Sequence, residues 1–552
     1  MCIRDRQGFE QGDAYEGKFG SGGLFGAAGP VIIGGILFYN QFEGIGTNAE
    51  QWVNAIDMHT GEMLWSKSLD APTASNLRLA FGQTFYWDSY NYHGVFDFLW
   101  CTESGGFGQP SNWHAFDPFT GRWVYTMEGM PSGQKVFGPK GEIFLYNLNK
   151  NAGTLTLWNS SRIVSSEGSW RPQGQTYNAS TGIEWTIDVP GLADLPGSVY
   201  KYRSGVILGS DFTRSGPAAS DPVTLWAVSV DIDDADAEVM WDTTWSLPDG
   251  VRSISVEDVN EEEDLFIVSS KETRQTWGFR LSTGQEIWGP TPERHYTDNW
   301  GFSSGNSWDI IVEGKVIAGN YGGTVWCYDA QTGEVDWTFD IVDPYTEVLH
   351  NNRWRFRPVF VAAGKLYLEN TEHNPRDPQP RGAPFIALDL ESGNLVFRVP
   401  IRGSEWSSTP IIGDSIIAMY DEYDQRIYAI GKGPSATTVA ASPEVTTRGS
   451  SVMITGTVLD VSPGTESAPV KLRFPNGVAA IADSDMTDWM MYVYDQFARP
   501  ADASGVTVTI EVIDGNHNYQ YVGTTTTDTN GNYGYCLLYT SDAADEEDSV
   551  DL

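Results

Sequence analysis

Apolar and polar residues alternate through "TVWCYD", Thr324 to Asp329, and again through "EVDWTF", Glu334 to Phe339. A period of two, rich in β-branched and aromatic residues, predicts a pair of strands. The intervening "AQTG" predicts a tight hairpin turn. Gly333 supplies the positive φ that such a turn demands, and Asp329 and Thr332 are placed to bond its backbone N–H groups. Trp337, on the outgoing strand, presents a large apolar face expected to wedge against a neighbouring sheet.

The pattern recurs. "AIDMHTGEMLW" holds Asp57, Thr60, Gly61 and Trp65, and "AFDPFTGRWVY" holds Asp117, Thr120, Gly121 and Tyr125. "TYNASTGIEW" holds Asn178, Thr181, Gly182 and Trp185, one residue short after the glycine. "WGFRLSTGQEIW" puts Arg280 at the acid position, with Thr283, Gly284 and Trp288. Asp329, Thr332, Gly333 and Trp337 follow, then Asp389, Ser392, Gly393 and Phe397 in "IALDLESGNLVF". Two degenerate copies, "LWAVSVDIDDADAEVMW" and "RIYAIGKGP", complete a series spaced by about 40–60 residues, a range that suits propeller blades. A unit of this kind is a small sheet with two apolar faces, and stacking in a ring buries both.

The motif resembles the PQQ-like (quinoprotein-type) β-propeller repeat, Ala-x-Asp-x-x-Thr-Gly-x-x-x-Trp, over about residues 20–433. The resemblance implies an all-β fold with eight blades, seven being the alternative. The family includes quinoprotein alcohol dehydrogenases, non-catalytic members such as the propeller lipoprotein of the outer-membrane assembly machine, and uncharacterised secreted proteins. Its dehydrogenases hold PQQ on the axis with a metal bound by Glu, Asn and Asp, an aspartate base and usually a disulfide of adjacent cysteines. Cys101 and Cys327 stand apart, no CxxCH segment is present, and the metal-binding trio matches no motif here. PQQ is therefore not expected.

After "GKGPS" the alternation resumes in "TTVAASPEVTTRGSSVMITGTVLDV" and "GVTVTIEVIDGNHNYQYVGTTTTDTNGNYGY", with turns at Asp514-Gly515 and Asn530-Gly531. This resembles an appended Ig-like β-sandwich over residues 434–535, following a propeller over 7–433. Within it, "DSDMTDWMMYVYDQFARP" places Trp489, Val493 and Phe497 on one helical face, with Ser484 or Asp485 as N-cap. The helix is expected to pack on the sandwich, the alternative being a partner-binding face. The ends read differently. Back-translation of Cys536 to Ser541 gives a DNA element whose reverse complement encodes Met1 to Asp5, so residues 1–6 and 536–552 are expected to be translated sequencing adapter. On that reading the sandwich is truncated, and a signal peptide or a terminal anchor, the one expected route to a membrane, is lost with the native ends.

Composition agrees with many short strands and tight turns: 59 glycines and 13% aromatic residues in 552. The formal net charge is −39, which argues against nucleic-acid or anionic-membrane partners. No internal run of about 18 apolar residues occurs. The chain is expected to be a monomeric secreted or cell-surface protein. "NSS" at Asn159 and "NAS" at Asn178 match N-glycosylation acceptors, in keeping with that setting.

Candidate chemistry lies where the repeat breaks. In an acidic chain, "HNNRWRFRP" and "ENTEHNPRDPQPRGAP" concentrate His350, Arg353, Trp354, Arg355, Arg357, His373, Arg376, Asp377 and Arg381. Arginine clamps and a stacking tryptophan suit an acidic or sugar-like ligand. The alternative is salt bridging to neighbouring acids around a proline-stiffened loop. Trp300, Trp308 and Trp406 are further aromatic candidates, each equally suited to the core. Asp231, Asp233, Asp234 and Asp236 are the candidate ligands for calcium, the only cofactor the residues suggest, although the run lacks the glycine and distal glutamate of an EF-hand loop, and a solvated acidic turn is favoured. "EDVNEEED", Glu257 to Asp264, is a weaker case of the same kind. The favoured role is non-catalytic binding or scaffolding with a surface protein or glycan as partner. The alternatives are a PQQ-dependent alcohol or sugar dehydrogenase and a carbohydrate-binding surface protein.

Overall fold

The computed structural model describes residues 2–3, 30–43, 50–90, 92–103, 111–164, 170–212, 222–294, 309–319, 322–348, 352–370, 382–403, 409–421, 426–447, 449–494, 497–513 and 517–538. The chain is all-β, and its strands follow one another in antiparallel sheets of a PQQ-like propeller. Sheet 1 is built from Val31–Ile33, Ile36–Glu43, Glu50–Asp57 and Met63–Lys67. Sheet 2 spans residues 79–130, sheet 3 134–188, sheet 4 198–245, sheet 5 255–288, sheet 6 310–340 and sheet 7 356–399. Sheet 8 takes Ile411–Gly413, Ile416–Asp421 and Arg426–Ile430, with Cys2–Ile3 paired beside the last of them. Two residues expected to lie outside the fold thus hold its fourth-strand position.

The apolar residues fill the seams between consecutive sheets. Phe38 and Val53 of sheet 1 pack with Leu79 and Leu99 of sheet 2. Trp100 and Tyr125 meet Leu145 and Trp158 of sheet 3. Leu155 then meets Trp226 of sheet 4, Leu225 meets Phe266 of sheet 5, and Ile267 meets Val316 of sheet 6. Cys327 packs with Leu366 of sheet 7, and Phe385 with Met419 of sheet 8. Ala418 and Ile427 of sheet 8 return to Leu37 and Ile56 of sheet 1. The strands read as nearly continuous apolar runs because both of their faces are buried. Cys101 and Cys327 are buried free thiols, and burial pushes the latter up to about 12.

The repeated residues are the fastening of these seams. Asp329 Oδ1 accepts from the N–H groups of Gln331 and Thr332 and from Thr332 Oγ1, while the Gly333 N–H donates to Asp329 O. Asp57, Asp117 and Asp389 bond their turns in the same manner. Gly61, Gly121, Gly284, Gly333 and Gly393 all have φ between 60° and 71°. The tryptophans reach forward: Trp65 donates to Pro118 O, Trp288 to Ala330 O and Trp337 to Leu390 O, each the carbonyl just after the acid position of the next copy. At Arg280 the carboxylate is supplied from a neighbouring hairpin, where Asp264 accepts from Ser282 N and Oγ and pairs with Arg280 Nη1 at 3.2 Å.

One copy differs from the expectation. Gly182 closes a 3-10 turn, Ala179–Gly182, and has no positive φ. The hairpin turn of sheet 3 leaves from Asn159, and an insertion intervenes before Ile183–Asp188. Within the insertion, Gln175–Asn178 adds to sheet 2 as a parallel fifth strand. The Trp185 Nε1–H is buried with no partner among the described residues.

Beyond sheet 8, Ser451–Asp460 is the hub of a five-stranded sheet, and Thr507–Ile513 pairs with Tyr519–Thr526. Asn532–Leu538 pairs with the hub through Cys536 and Leu538, three residues past the expected boundary at Tyr535. The predicted helix is Met486–Tyr494, with Trp489 and Val493 buried against Val470, Val478 and Ile481. Phe497 lies beyond it and is exposed. Neither Ser484 nor Asp485 is its N-cap: both sit in a preceding 3-10 turn, and Asp485 Oδ2 accepts from Ser504 N instead. Asn530-Gly531 forms the expected turn, whereas Asp514-Gly515 lies outside the described residues.

Candidate functional site

The seams are apolar along most of their length and polar at one end, where each sheet's first strand begins. Pro30–Ile33, Gly82–Thr84 and Ile411–Ile412, from the first-strand regions of sheets 1, 2 and 8, line a cleft of about 300 Å³. In the seam between sheets 1 and 2, Asn40 closes the end by exchanging hydrogen bonds with the backbone of Leu79 and accepting from Gln51 Nε2.

Between sheets 5 and 6 the closure is ionic. Arg294 Nη1 lies 2.9 Å from Asp309 Oδ1, both side chains being 0% exposed. Arg294 Nη2 donates to Thr276 Oγ1, which donates to Asp309 Oδ2. Burial opposes the Arg294 charge, but Asp309, Tyr328 and Glu257 together hold the guanidinium above its ordinary pKa. An ion pair removed from water in this way is kept by geometry and satisfied donors, since desolvation offsets most of the attraction.

Between sheets 7 and 8 a second charged cluster forms. Glu369 is the cross-strand partner of Arg357 and is ion-paired with it. It shares a strand face with Tyr367, which packs in this seam. Burial pushes the Glu369 carboxyl up to about 7, against the pull of Arg357. Asp421 accepts from the Arg402 N–H at 3.0 Å. Sequence reading missed Arg294, Asp309, Glu369, Arg402 and Asp421. The signal was present for some of them: a charged residue at the last positions of an otherwise apolar strand, as in "KLYLEN" and "IIAMYD".

Several expected site residues turn out to do other work. Trp354 is 0% exposed and packs among Phe356, Leu366 and Ile386 in the sheet 6–7 seam, so it offers no ring to a sugar. Arg353 Nη2 is bonded to Asp340 Oδ2 at 2.5 Å. Arg353 is thus paired with an acid, and Trp354 is a core residue, a role that neither reading of this segment included. His350, His373, Arg376, Asp377 and Arg381 lie outside the described residues, as do Trp300, Trp308 and Trp406. The acidic run is a hairpin turn in which Asp231 Oδ1 accepts from Asp233 N and Asp234 N and pairs across the strands with Asp236. Asp231, Asp233, Asp234 and Asp236 are not gathered into a metal-holding group, and no such group of three or more occurs among the described residues. In "EDVNEEED", Glu257 instead accepts from Ser269 Oγ and Glu263 from Gly314 N. Asn159 is buried and its amide donates to Glu184 Oε2, leaving no room for a glycan. Asn178 is exposed, with Oδ1 accepting from Ser180 N.

Comparison with known proteins now bears on this architecture. A family model described as "Outer membrane protein assembly factor BamB" matches residues 49–399. No curated protein matches. Among solved structures, the computationally designed Ika8 protein is 11% identical, covering 75% of this chain and 98% of that one, with a TM-score of 0.38. BamB from Moraxella catarrhalis is 12% identical over 74% and 97% of the two chains, with a TM-score of 0.35. A eukaryotic initiation factor is 10% identical over 79% and 86%, with a TM-score of 0.35. Among the described residues no helix is long and apolar enough to cross a membrane. With well over half of its length matched, the chain belongs to the PQQ-like propeller family described as outer membrane protein assembly factor BamB.

Proposed function

We propose that the chain is a non-catalytic scaffold of the cell envelope or surface. Its eight sheets are read as eight blades of a ring over residues 7–433, carrying an Ig-like module over residues 434–535. The observation that carries this reading is the use of the repeated polar residues. Asp57, Asp117, Asp329 and Asp389 are committed to turn N–H groups, and the tryptophans to the next repeat's backbone. The motif that marks the family thus maintains the ring and leaves binding to the loops between strands. The family description, an outer-membrane assembly factor, supports a location outside the cytoplasm. The strong negative charge favours a cationic partner surface over nucleic acid.

The test is reconstitution of the purified chain with PQQ and calcium, followed by dye-linked oxidation of alcohols and sugars. No turnover is expected. Turnover that depends on both additions would overturn the scaffold reading in favour of a quinoprotein dehydrogenase.

A further inference from the structure

Lys135 departs from the pattern set by the other charged residues at the seam ends. It is the second residue of Gln134–Phe137, the first strand of sheet 3, as Arg357 is of the first strand of sheet 7. Arg357 has Glu369 as its cross-strand partner, whereas Lys135 has Leu145. The Lys135 ammonium lies 3.4 Å from the centre of the Phe81 ring and 5.2 Å from that of Phe137. Phe81 is itself held edge-on by Trp113 and stacked with Trp100. In a chain with 73 acidic residues and 34 basic ones, an amine would be expected to find a carboxylate. Among the described residues Lys135 has aromatic walls instead. The residue is half-buried.

We propose that Lys135 is a nucleophilic amine that captures small aldehydes as an imine at the aromatic end of the sheet 2–3 seam. The lone pair of the neutral amine attacks the carbonyl carbon and forms a C–N bond. The nitrogen gives up its two protons, the carbonyl oxygen takes up two and leaves as water as its C–O bond breaks, and C=N forms with no change of oxidation state. Desolvation lowers the Lys135 pKa to about 8, which raises the neutral fraction near neutral pH. The ring attraction acts the other way but is worth only about 0.5–2 kcal/mol. The protonated imine keeps a cation over Phe81. This inference stands apart from the scaffold reading, and either can fail without the other.

The experiment is reductive trapping on the full-length protein. Acetaldehyde and cyanoborohydride are added over a range of pH, and labelled lysines are mapped by peptide mass spectrometry. Hydride transfer to the imine carbon fixes the adduct as a secondary amine. The comparator is Lys432, whose side chain is 87% exposed and paired with Asp483. At neutral pH Lys135 is expected to label about tenfold or more faster than Lys432, because its pKa lies well below that of an ordinary lysine. Its rate should level off near the pKa of about 8. Lys135→Arg should remove the fast adduct and no other. Phe81→Leu, which keeps the amine but opens the wall, should reduce the selectivity. Equal labelling of the two lysines with the same pH profile in the wild-type protein overturns the proposal, whatever the variants do.

Discussion

The indole of Trp337 occupies the space that a β-carbon on Gly393 would need. An ideal Cβ there would stand 2.5 Å from Trp337 Cδ2, and the same indole donates its Nε1–H to Leu390 O at 3.0 Å. Trp288 stands over Gly333 and Trp241 over Gly284 in the same way, at 2.6 Å and 2.4 Å. The glycines of these three clasps therefore answer two demands, a positive φ within their own turn and room for the tryptophan of the preceding sheet.

Separating those demands gives the first prediction. Gly393→Ala meets a φ of 68° and the Trp337 ring, while Gly364→Ala meets a φ of 66° and nothing within 4 Å. Backbone strain alone should cost about 1–2 kcal/mol at either site. Overpacking should add about 1–3 kcal/mol at Gly393 only. Urea denaturation of the two variants checks this, and equal losses would show that the indole moves aside freely.

The borrowed carboxylate of sheet 5 yields a second. Arg280→Asp restores the family's residue but sets it beside Asp264, now a like charge. The single change should destabilise by about 1–2 kcal/mol. Arg280→Asp with Asp264→Asn should recover to within about 0.5 kcal/mol of wild type, a coupling energy of about 1 kcal/mol or more in a double-mutant cycle. Additive losses would mean that Asp264 supports the turn in some other way.

The clasps were legible in the sequence because they are local. Asp, Thr and Gly within five residues define one turn, and a strand period of two follows from the pleat. "TYNASTG" misled for the same reason: its residues match the motif, but an insertion carries them to the edge of sheet 2 and into a 3-10 turn. Arg353 and Trp354 were singled out as a site by composition alone. Their partners, Asp340 and the Leu366–Ile386 core, come from other strands, and no spacing within "HNNRWRFRP" reveals them. Arg294 and Asp309 are 15 residues apart and look like two ordinary loop charges until the seam buries both.

Glu369 makes the third prediction, on pH. Its folded pKa of about 7 lies above the ordinary 4.5, so the fold favours the protonated acid. The associated stability is fully present below about pH 4.5 and is lost as pH rises through about 7. A shift of this size corresponds to roughly 3 kcal/mol. Glu369→Gln, which cannot ionise, should gain stability relative to wild type as pH is raised across that window. Thermal melts at a series of pH values follow it directly. Parallel curves for the two proteins would mean that Arg357 keeps the carboxylate ionised throughout.

The buried pair of the sheet 5–6 seam gives the last prediction, and its sign depends on which partner is removed. Arg294→Met leaves Asp309 fully buried, with Thr276 Oγ1 as its one remaining donor among the bonds described above. An uncompensated buried charge costs about 3–5 kcal/mol. Asp309→Leu strands the guanidinium in the same way, although Arg274 O and Thr276 Oγ1 still accept from it. Arg294→Met combined with Asp309→Leu removes both charges and their desolvation cost together. The double variant should therefore be more stable than either single one, and within about 1–2 kcal/mol of wild type. Equilibrium denaturation of the four proteins measures the cycle. A double variant as unstable as the sum of the singles would mean that the pair acts through the backbone it organises, since the Arg294 N–H also bonds Arg274 O at 3.1 Å and ties the connection between the two sheets to the turn before the third strand of sheet 5.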